Sequence, residues 1–343
     1  MQNLRLTMAP FNQMARVAAV VPCFNANLKT LERIVKELIE VVDFVVIIDD
    51  ACPNNAGNYI DSQFSIDNVR VIWNEENLGV GGATKKGYEY ILSQLNCEVV
   101  VKLDCDGQMM PKDIQKLVDP LLSGESDVVK ANRYYDFEEI LKIPKVRLIG
   151  NLILSFFAKA STGYWELFDP NNGFFAVTTT ALKKLPLGKI SNDYFFESDF
   201  LFRSGLEQFI IQEVRIPPIY KGEASALNPL QEIPKFFKKH LINTFKRCFY
   251  QYFLFNFNPG SLALLLSVCF MSFSILWAII LIIKGYNTGS YAGSGDVSLF
   301  IISTMVGMQF LIAFINYDTS QRILIRRSLT AAKSWPKIIN THM

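Results

Sequence analysis

Five consecutive residues, Asp104-Cys105-Asp106-Gly107-Gln108, carry the side chains best suited to chemistry in this sequence. They follow the apolar run Val99-Val100-Val101, so the two carboxylates fall at the end of a predicted buried strand. Like charges that close repel and raise one another's pKa. A divalent cation relieves the conflict, because hard Mg2+ or Mn2+ takes oxygen ligands and commonly holds substrate phosphates as well. The side-chain carbonyl of Gln108 offers another oxygen. An Asp-x-Asp triplet also occurs in solvated turns, so the surrounding elements must decide between the two readings.

Other residues invite the same double reading. Asp49 and Asp50 close the apolar run Val45-Val46-Ile47-Ile48. They could accept from a base ring N–H or a ribose hydroxyl, or simply cap a turn. Asn77, Gly79 and Gly82 open a predicted helix where glycine lets backbone approach a ligand closely. Lys85 on that helix faces either phosphate or solvent. The stretch is neither a P-loop nor G-x-G-x-x-G, which argues against an NTPase or a dinucleotide enzyme. Glu197 and Asp199 lie among aromatics, where a carboxylate can act as a base. Acids at a helix N-terminus look the same. Arg133, Arg147 and Lys221 are isolated cations that could meet a diphosphate or stay at the surface. His240 and His342 have no partner that would make a zinc site or a nucleophile pair.

These residues need a frame. Apolar runs predict strands at Val17–Val21, Phe44–Ile48, Val69–Trp73, Val99–Leu103 and Asp127–Ala131. Amphipathic stretches predict helices at Leu28–Val41, capped by Asn27, at Gly82–Leu95, at Pro111–Ser123 and at Lys145–Lys159. Continuous apolar strands alternating with helices predict an α/β fold, a mostly parallel sheet covered on both faces. In such sheets ligands bind beyond the carboxyl ends of the strands. Here successive strands run into Pro22-Cys23-Phe24-Asn25, Asp49-Asp50, Asn74–Asn77 and Asp104–Asp106. Scattered surface acids would not choose four strand ends in a row.

Composition adds a second region. Half of the 343 residues are hydrophobic, and the excess is concentrated. Residues 259–283 and 297–317 contain no charge, and each run is long enough to cross a hydrocarbon core of roughly 20 residues. Two buried helices of a soluble core are the other reading. Lys235, Lys238, Lys239, Lys246 and Arg247 precede the first run, and Arg322, Arg326, Arg327, Lys333 and Lys337 follow the second. The positive-inside rule therefore expects a multi-pass protein of a cytoplasmic-facing membrane (plasma or ER-type) with its large N-terminal region in the cytosol. No signal segment is read in Met1–Gln13. The expected division is a catalytic domain over 1–225, a basic amphipathic juxtamembrane segment over 226–258, two membrane helices within 259–320 and a basic cytosolic tail over 321–343. The juxtamembrane segment is read either as an interfacial helix on anionic lipid or as a helix packed on the soluble domain. The six cysteines show no metal-type spacing, and a cytosolic setting argues against disulfides. A net charge of +2 gives no reason to expect nucleic acid.

Taken together, VVPCFNAN, IIDDACPNNAG, NLGVGGATKKGY, DCDGQ, FDPNNGFFAV and FFESDFLFR resemble, in this order, the inverting family 2 glycosyltransferases of the GT-A fold. The likeness is greatest to dolichol-phosphate mannose synthases and bacterial polyprenyl-phosphate sugar transferases, and it covers roughly residues 16–225. It implies a Rossmann-like GT-A domain followed by a two-helix transmembrane hairpin. By the same likeness Asp104, Asp106 and Gln108 would hold Mg2+ or Mn2+. Pro22, Phe24, Asn25, Asp49, Asp50, Asn77, Gly79, Gly82, Lys85 and Asp104 would line the nucleotide-sugar site. Arg133 and Arg147 would lie near donor or acceptor phosphate. Glu197 or Asp199 would be the candidate base, and Asp106 is counted with them as catalytic. Ala51-Cys52 departs from the usual Asp-Asp-Gly-Ser turn, and the Gln-x-x-Arg-Trp signature of processive synthases is absent.

The expected activity is transfer of a single sugar from a UDP- or GDP-sugar to a polyprenyl-phosphate acceptor at a lipid membrane. The alternative is transfer to a hydroxyl of a lipid-linked saccharide or cell-surface glycan, which would require the acidic base. A third reading, a binding adaptor without turnover, sits poorly with an intact Asp104, Asp106 and Gln108. Self-association into a homo-oligomer stays open.

Overall fold

The computed structural model describes residues 15–134, 145–217 and 229–334, and within them the side chains of all but 145–149, 151, 229–233 and 321–334. Lys221, Lys337, His342 and the segment Met1–Gln13 therefore lie outside the described residues, as do the side chains of Arg147, Arg322, Arg326, Arg327 and Lys333. The chain divides into two compact units, residues 1–155 with 167–232, and residues 156–166 with 233–343.

The first unit begins with alternating elements: β1 (Val17–Cys23), α1 (Leu28–Ile39), β2 (Phe44–Asp49), α2 (Ala56–Gln63), β3 (Val69–Trp73), α3 (Gly79–Gln94) and β4 (Val99–Lys102). After a 3-10 turn at Pro111–Asp113 come α4 (Ile114–Leu122), β5 (Val128–Asn132) and α5 (Lys145–Thr162), whose last turns belong to the second unit. Then follow β6 (Phe175–Thr178), α6 (Thr179–Leu182), α7 (Phe196–Leu206) and β7 (Ile211–Arg215). The seven strands form one sheet in the order β3-β2-β1-β4-β6-β5-β7. All neighbours are parallel except β6, which runs antiparallel between β4 and β5. The five strands expected from sequence all form, and β6 and β7 are additions.

Strand alternation sends side chains to two covered faces. Val17, Ala19 and Val21 of β1 join Leu31 and Leu38 of α1 and Leu117 of α4 in one core cluster. On the opposite face α3 lies so close that a Cβ on Gly87 would fall 2.6 Å from Val20 Cγ1. There α7 packs Phe200 on Phe175 with ring centroids 4.9 Å apart. Because β1 to β4 are parallel, their carboxyl ends share one edge of the sheet.

The second unit contains the end of α5, then α8 (Pro229–Phe249) from residue 233 onward, a π-helical turn (Tyr250–Leu254), α9 (Pro259–Thr288) and α10 (Ser294–Ser334). Asn258 starts α9 with a capping box, its side chain accepting from Gly260 and Ser261 N–H while Ser261 Oγ accepts from Asn258 N–H. Helices α9 and α10 pair antiparallel, with Phe270 stacked on Phe310 and Gly307 fitted against Met271. Pro259–Thr288 and Ser294–Ser320 are both long and apolar enough to cross a membrane, and little of either is buried. One carboxylate, Asp318, gathers the base of this unit. It accepts from Arg247 Nη1 at 2.7 Å and Nη2 at 2.8 Å, from Trp165 Nε1 at 2.8 Å and from Tyr252 OH at 2.6 Å.

Candidate active site

The carboxyl edge of the sheet collects most of the residues singled out above, but it uses them differently. Asp49, the last residue of β2, spends both oxygens on backbone, accepting from Cys52 N–H at 2.6 Å and Gly57 N–H at 2.6 Å. It therefore shapes the turn into α2. Asp50 accepts through Oδ1 from Asn74 Nδ2 at 2.6 Å and from Leu78 N–H at 2.9 Å. Its Oδ2, and Asn74 Oδ1, are buried acceptors with no hydrogen-bond partner among the described residues. Buried acceptors left without a donor are costly, so this pair suits a ligand that brings N–H or O–H groups. Beside them Pro22 lies within β1, Phe24 is half exposed, and Asn25 has a φ of 51° and accepts from Asn54 Nδ2.

The glycine loop approaches protein backbone. Gly79 has a φ of +78°, and a Cβ there would lie 2.7 Å from the carbonyl oxygen of Asn192. The N–H groups of Gly81 and Gly82 donate to that same carbonyl at 2.8 and 3.0 Å. Asn77 turns its side chain back to accept from Gly79 N–H. Lys85 Nζ donates to Ile190 carbonyl at 2.7 Å, and burial pushes its pKa down. Asp199, in the first turn of α7, accepts from Ser191 N–H at 2.9 Å and lies 3.5 Å from Arg203. The start of α3 and Asp199 thus grip consecutive residues, 190 to 192, of one loop.

Asp104 and Asp106 lie in the loop after β4, with Leu103 between the strand and Asp104. Asp106 accepts from Gln108 N–H at 2.9 Å across a turn at Gly107, which has a φ of 73°, and Gln108 is exposed. Asp104 is partnered by a residue not singled out from sequence, Lys102. This lysine is fully buried, and its Nζ lies 2.7 Å from Asp104 Oδ1 and 2.9 Å from Glu197 Oε1. Burial alone would lower its pKa, but the two carboxylates more than offset that and hold it above the ordinary lysine value. Gly173 closes the cluster: a Cβ there would sit 2.7 Å from Asp104 Oδ2 and 2.8 Å from Lys102 Nζ. A second buried lysine, Lys130, donates to Asn172 carbonyl and lies 4.8 Å from the centroid of the Phe175 ring. Burial pushes its pKa down to about 8. A lysine interrupting a run of buried valines was the one available signal for Lys102, since such a charge needs acids close by.

Arg133 makes a bidentate pair with Asp169, Nε to Oδ2 at 2.8 Å and Nη2 to Oδ1 at 3.1 Å. Glu213 braces the same loop, accepting from the N–H groups of Phe168 and Asp169 and from Asn132 Nδ2. Its burial raises its pKa. Arg147 belongs to α5, with its side chain outside the described residues.

Among the described residues no cluster of three or more His, Cys, Asp or Glu side chains could hold a metal by itself. Two carboxylates and an amide carbonyl at one strand end do fit Mg2+ or Mn2+, hard cations that keep part of their shell for phosphate and water. Of the two oxygens of Asp104, Oδ1 already accepts from Lys102 Nζ.

With this geometry in view, comparison with known proteins assigns the domain. Residues 18–186 match the family described as Glycosyl transferase family 2. UDP-N-acetylglucosamine–dolichyl-phosphate N-acetylglucosaminyltransferase of Methanococcus voltae is 29% identical over 219 residues, 59% of this chain and 84% of that protein. Undecaprenyl-phosphate mannosyltransferase of Micrococcus luteus is 26% identical over 193 residues, covering 55% and 77%. Polyprenol monophosphomannose synthase of Mycolicibacterium smegmatis is 25% identical over 206 residues, covering 59% and 76%. Among solved structures, glucosyl-3-phosphoglycerate synthase of Mycobacterium tuberculosis with bound phosphoglyceric acid superimposes with a TM-score of 0.50 at 18% identity, covering 68% of this chain and 80% of that one. That last likeness is one of fold, and with the family match it makes the sheet domain GT-A-like. The chain is therefore a glycosyltransferase whose residues 18–186 belong to glycosyl transferase family 2.

Proposed function

We propose that this enzyme transfers one sugar from a UDP- or GDP-sugar to a polyprenyl-phosphate at the cytosolic leaflet of a membrane, with inversion at the anomeric carbon. The relatives from M. voltae and M. luteus carry dolichyl phosphate and undecaprenyl phosphate in their names. The observation that carries the lipid part is the inverted amphipathicity of α8. His240, Asn243 and Arg247 are buried, while Phe237, Leu241, Phe245 and Phe249 are exposed beside Lys238 and Lys246. In water the two faces would be exchanged. Aromatic residues and lysines on one outer surface suit a headgroup layer, and α9 and α10 continue from there with exposed apolar surfaces. The basic residues flanking both apolar helices support the cytosolic orientation.

At the sheet edge, Asp50 and Asn74 would accept from donor N–H or O–H groups through their unpartnered oxygens. Asp104, Asp106 and Gln108 would hold the divalent cation, which when bound supplies charge neutralisation for the departing diphosphate. The glycine loop, Lys85 and Asp199 would fix the 190–192 loop around the donor. A phosphate acceptor is already anionic, so attack at the anomeric carbon needs no protein base. Glu197, tied to Lys102, then positions groups and removes no proton.

The test is an assay of the full chain in detergent against UDP- and GDP-sugars with polyprenyl phosphate, with and without chelator. Chelator-sensitive appearance of a polyprenyl-phosphate sugar is the expected result. Transfer only to hydroxyl acceptors would replace this reading with the glycan alternative.

A further inference from the structure

Lys102 ends β4, and the sheet register places it opposite Phe175 of β6, whose other neighbour is Lys130 of β5. Its side chain runs along the face that α7 covers and is wholly withdrawn from water. An ammonium in such a place requires charged partners. Two converge on it, one from just beyond the end of its own strand and one from far along the chain. Asp104 follows in the loop after its own strand, and Glu197 belongs to the first turn of α7, 95 residues along the sequence. The backbone at Gly173 closes the remaining side too tightly for any Cβ.

We infer that Lys102 is a positioning residue. It aims the Asp104 carboxylate by occupying Oδ1 and couples that carboxylate to Glu197. Of the two acids at the start of α7, Glu197 is therefore the one joined to the metal end of the site. Asp199 has a different task, since its Oδ2 faces Ser191 N–H and Arg203. The inference rests on the reading of Asp104 as a ligand of the divalent cation.

Mn2+ uptake by the full chain in detergent, measured by electron paramagnetic resonance with UDP or GDP present, tests it without turnover. Lys102→Met should weaken Mn2+ binding roughly 10- to 100-fold, the usual cost of removing a group that orients a ligand. In a double-mutant cycle the effects of Lys102→Met and Glu197→Gln should fail to multiply, because the two residues act through one contact. The effects of Lys102→Met and Asp199→Asn should multiply as independent changes. Wild-type Mn2+ affinity in Lys102→Met, or multiplicative effects with Glu197→Gln, would overturn the inference. If Lys102→Met does not fold, Glu197→Gln alone decides: a loss of about threefold or more supports the coupling, and an unchanged affinity refutes it. Failure of the wild-type chain to take up Mn2+ would instead remove the metal reading of Asp104, and this inference with it.

Discussion

Each unit of the molecule contains a buried cation facing carboxylates, and the two arrangements differ in completeness. In the second unit Arg247 and Asp318 are 2% and 4% exposed, and the carboxylate takes donors from arginine, tryptophan and tyrosine. Each of its two oxygens already accepts two hydrogen bonds. In the first unit Lys102 is equally hidden, but Asp104 is 30% exposed and Asp106 follows it into the open loop. A closed ion cluster holds structure together. One that is satisfied on the inside and open on the outside keeps a charged surface ready for a ligand.

Substitutions in the two clusters should therefore fail in different ways. Asp106→Asn should cut transfer on the order of 10³-fold with an unchanged melting temperature. Full activity in that variant would erase the distinction. Arg247→Met should do the reverse, destabilising its unit by about 3–5 kcal/mol because Asp318 is left as a buried charge, and Arg247→Met/Asp318→Asn should regain most of that in denaturation experiments. Gly173→Ala sharpens the comparison, since its Cβ would enter the open cluster. A loss of about 1–3 kcal/mol in folding stability is expected in denaturation experiments, together with weaker Mn2+ binding. The smallest effect is a pH dependence within the closed unit. Burial pushes the His240 pKa down to about 4, so the unfolded chain binds the proton first as pH falls. This contribution is present above pH 6.5 and declines toward pH 4, by about 1 kcal/mol between pH 6.5 and 5.5. A His240→Gln variant should lack that slope in thermal scans.

The parallel half of the sheet was legible because its strands are apolar runs, broken in β1 to β4 only by Arg70 and by the Asp49 and Lys102 that end β2 and β4, and polar residues follow them closely. Helix α2 was not, since AGNYIDSQ is polar and lacks a clear apolar stripe. Strand β6 was also hidden, because four residues after the Asn-Asn-Gly turn carry too little pattern to reveal an antiparallel insertion. At the site, residue type pointed to Asp104 and Asp106, but partners far apart in sequence decide roles. Lys102 and Gly173 acquire meaning only once α7 and the 169–174 loop fold onto β4. The glycine loop shows the converse, for its flexibility was evident while the Asn192 carbonyl it accommodates was not.

The strand order also sets a timetable. β1 to β4 pair only with one another and with β6, so residues 17–102 can assemble four adjoining strands by short crossovers. β5 has no such early partner. Its neighbours are β6 and β7, whose residues leave the ribosome 43 and 79 positions or more after Asn132. During synthesis the half of the domain that bears the aspartates can therefore condense first. The strand carrying Lys130, meanwhile, stays unpaired until the later segments arrive, and contacts of long sequence separation form slowly. Conditions that slow or truncate translation beyond residue 132 should thus expose one particular edge to aggregation, that of β4 where β6 has yet to dock.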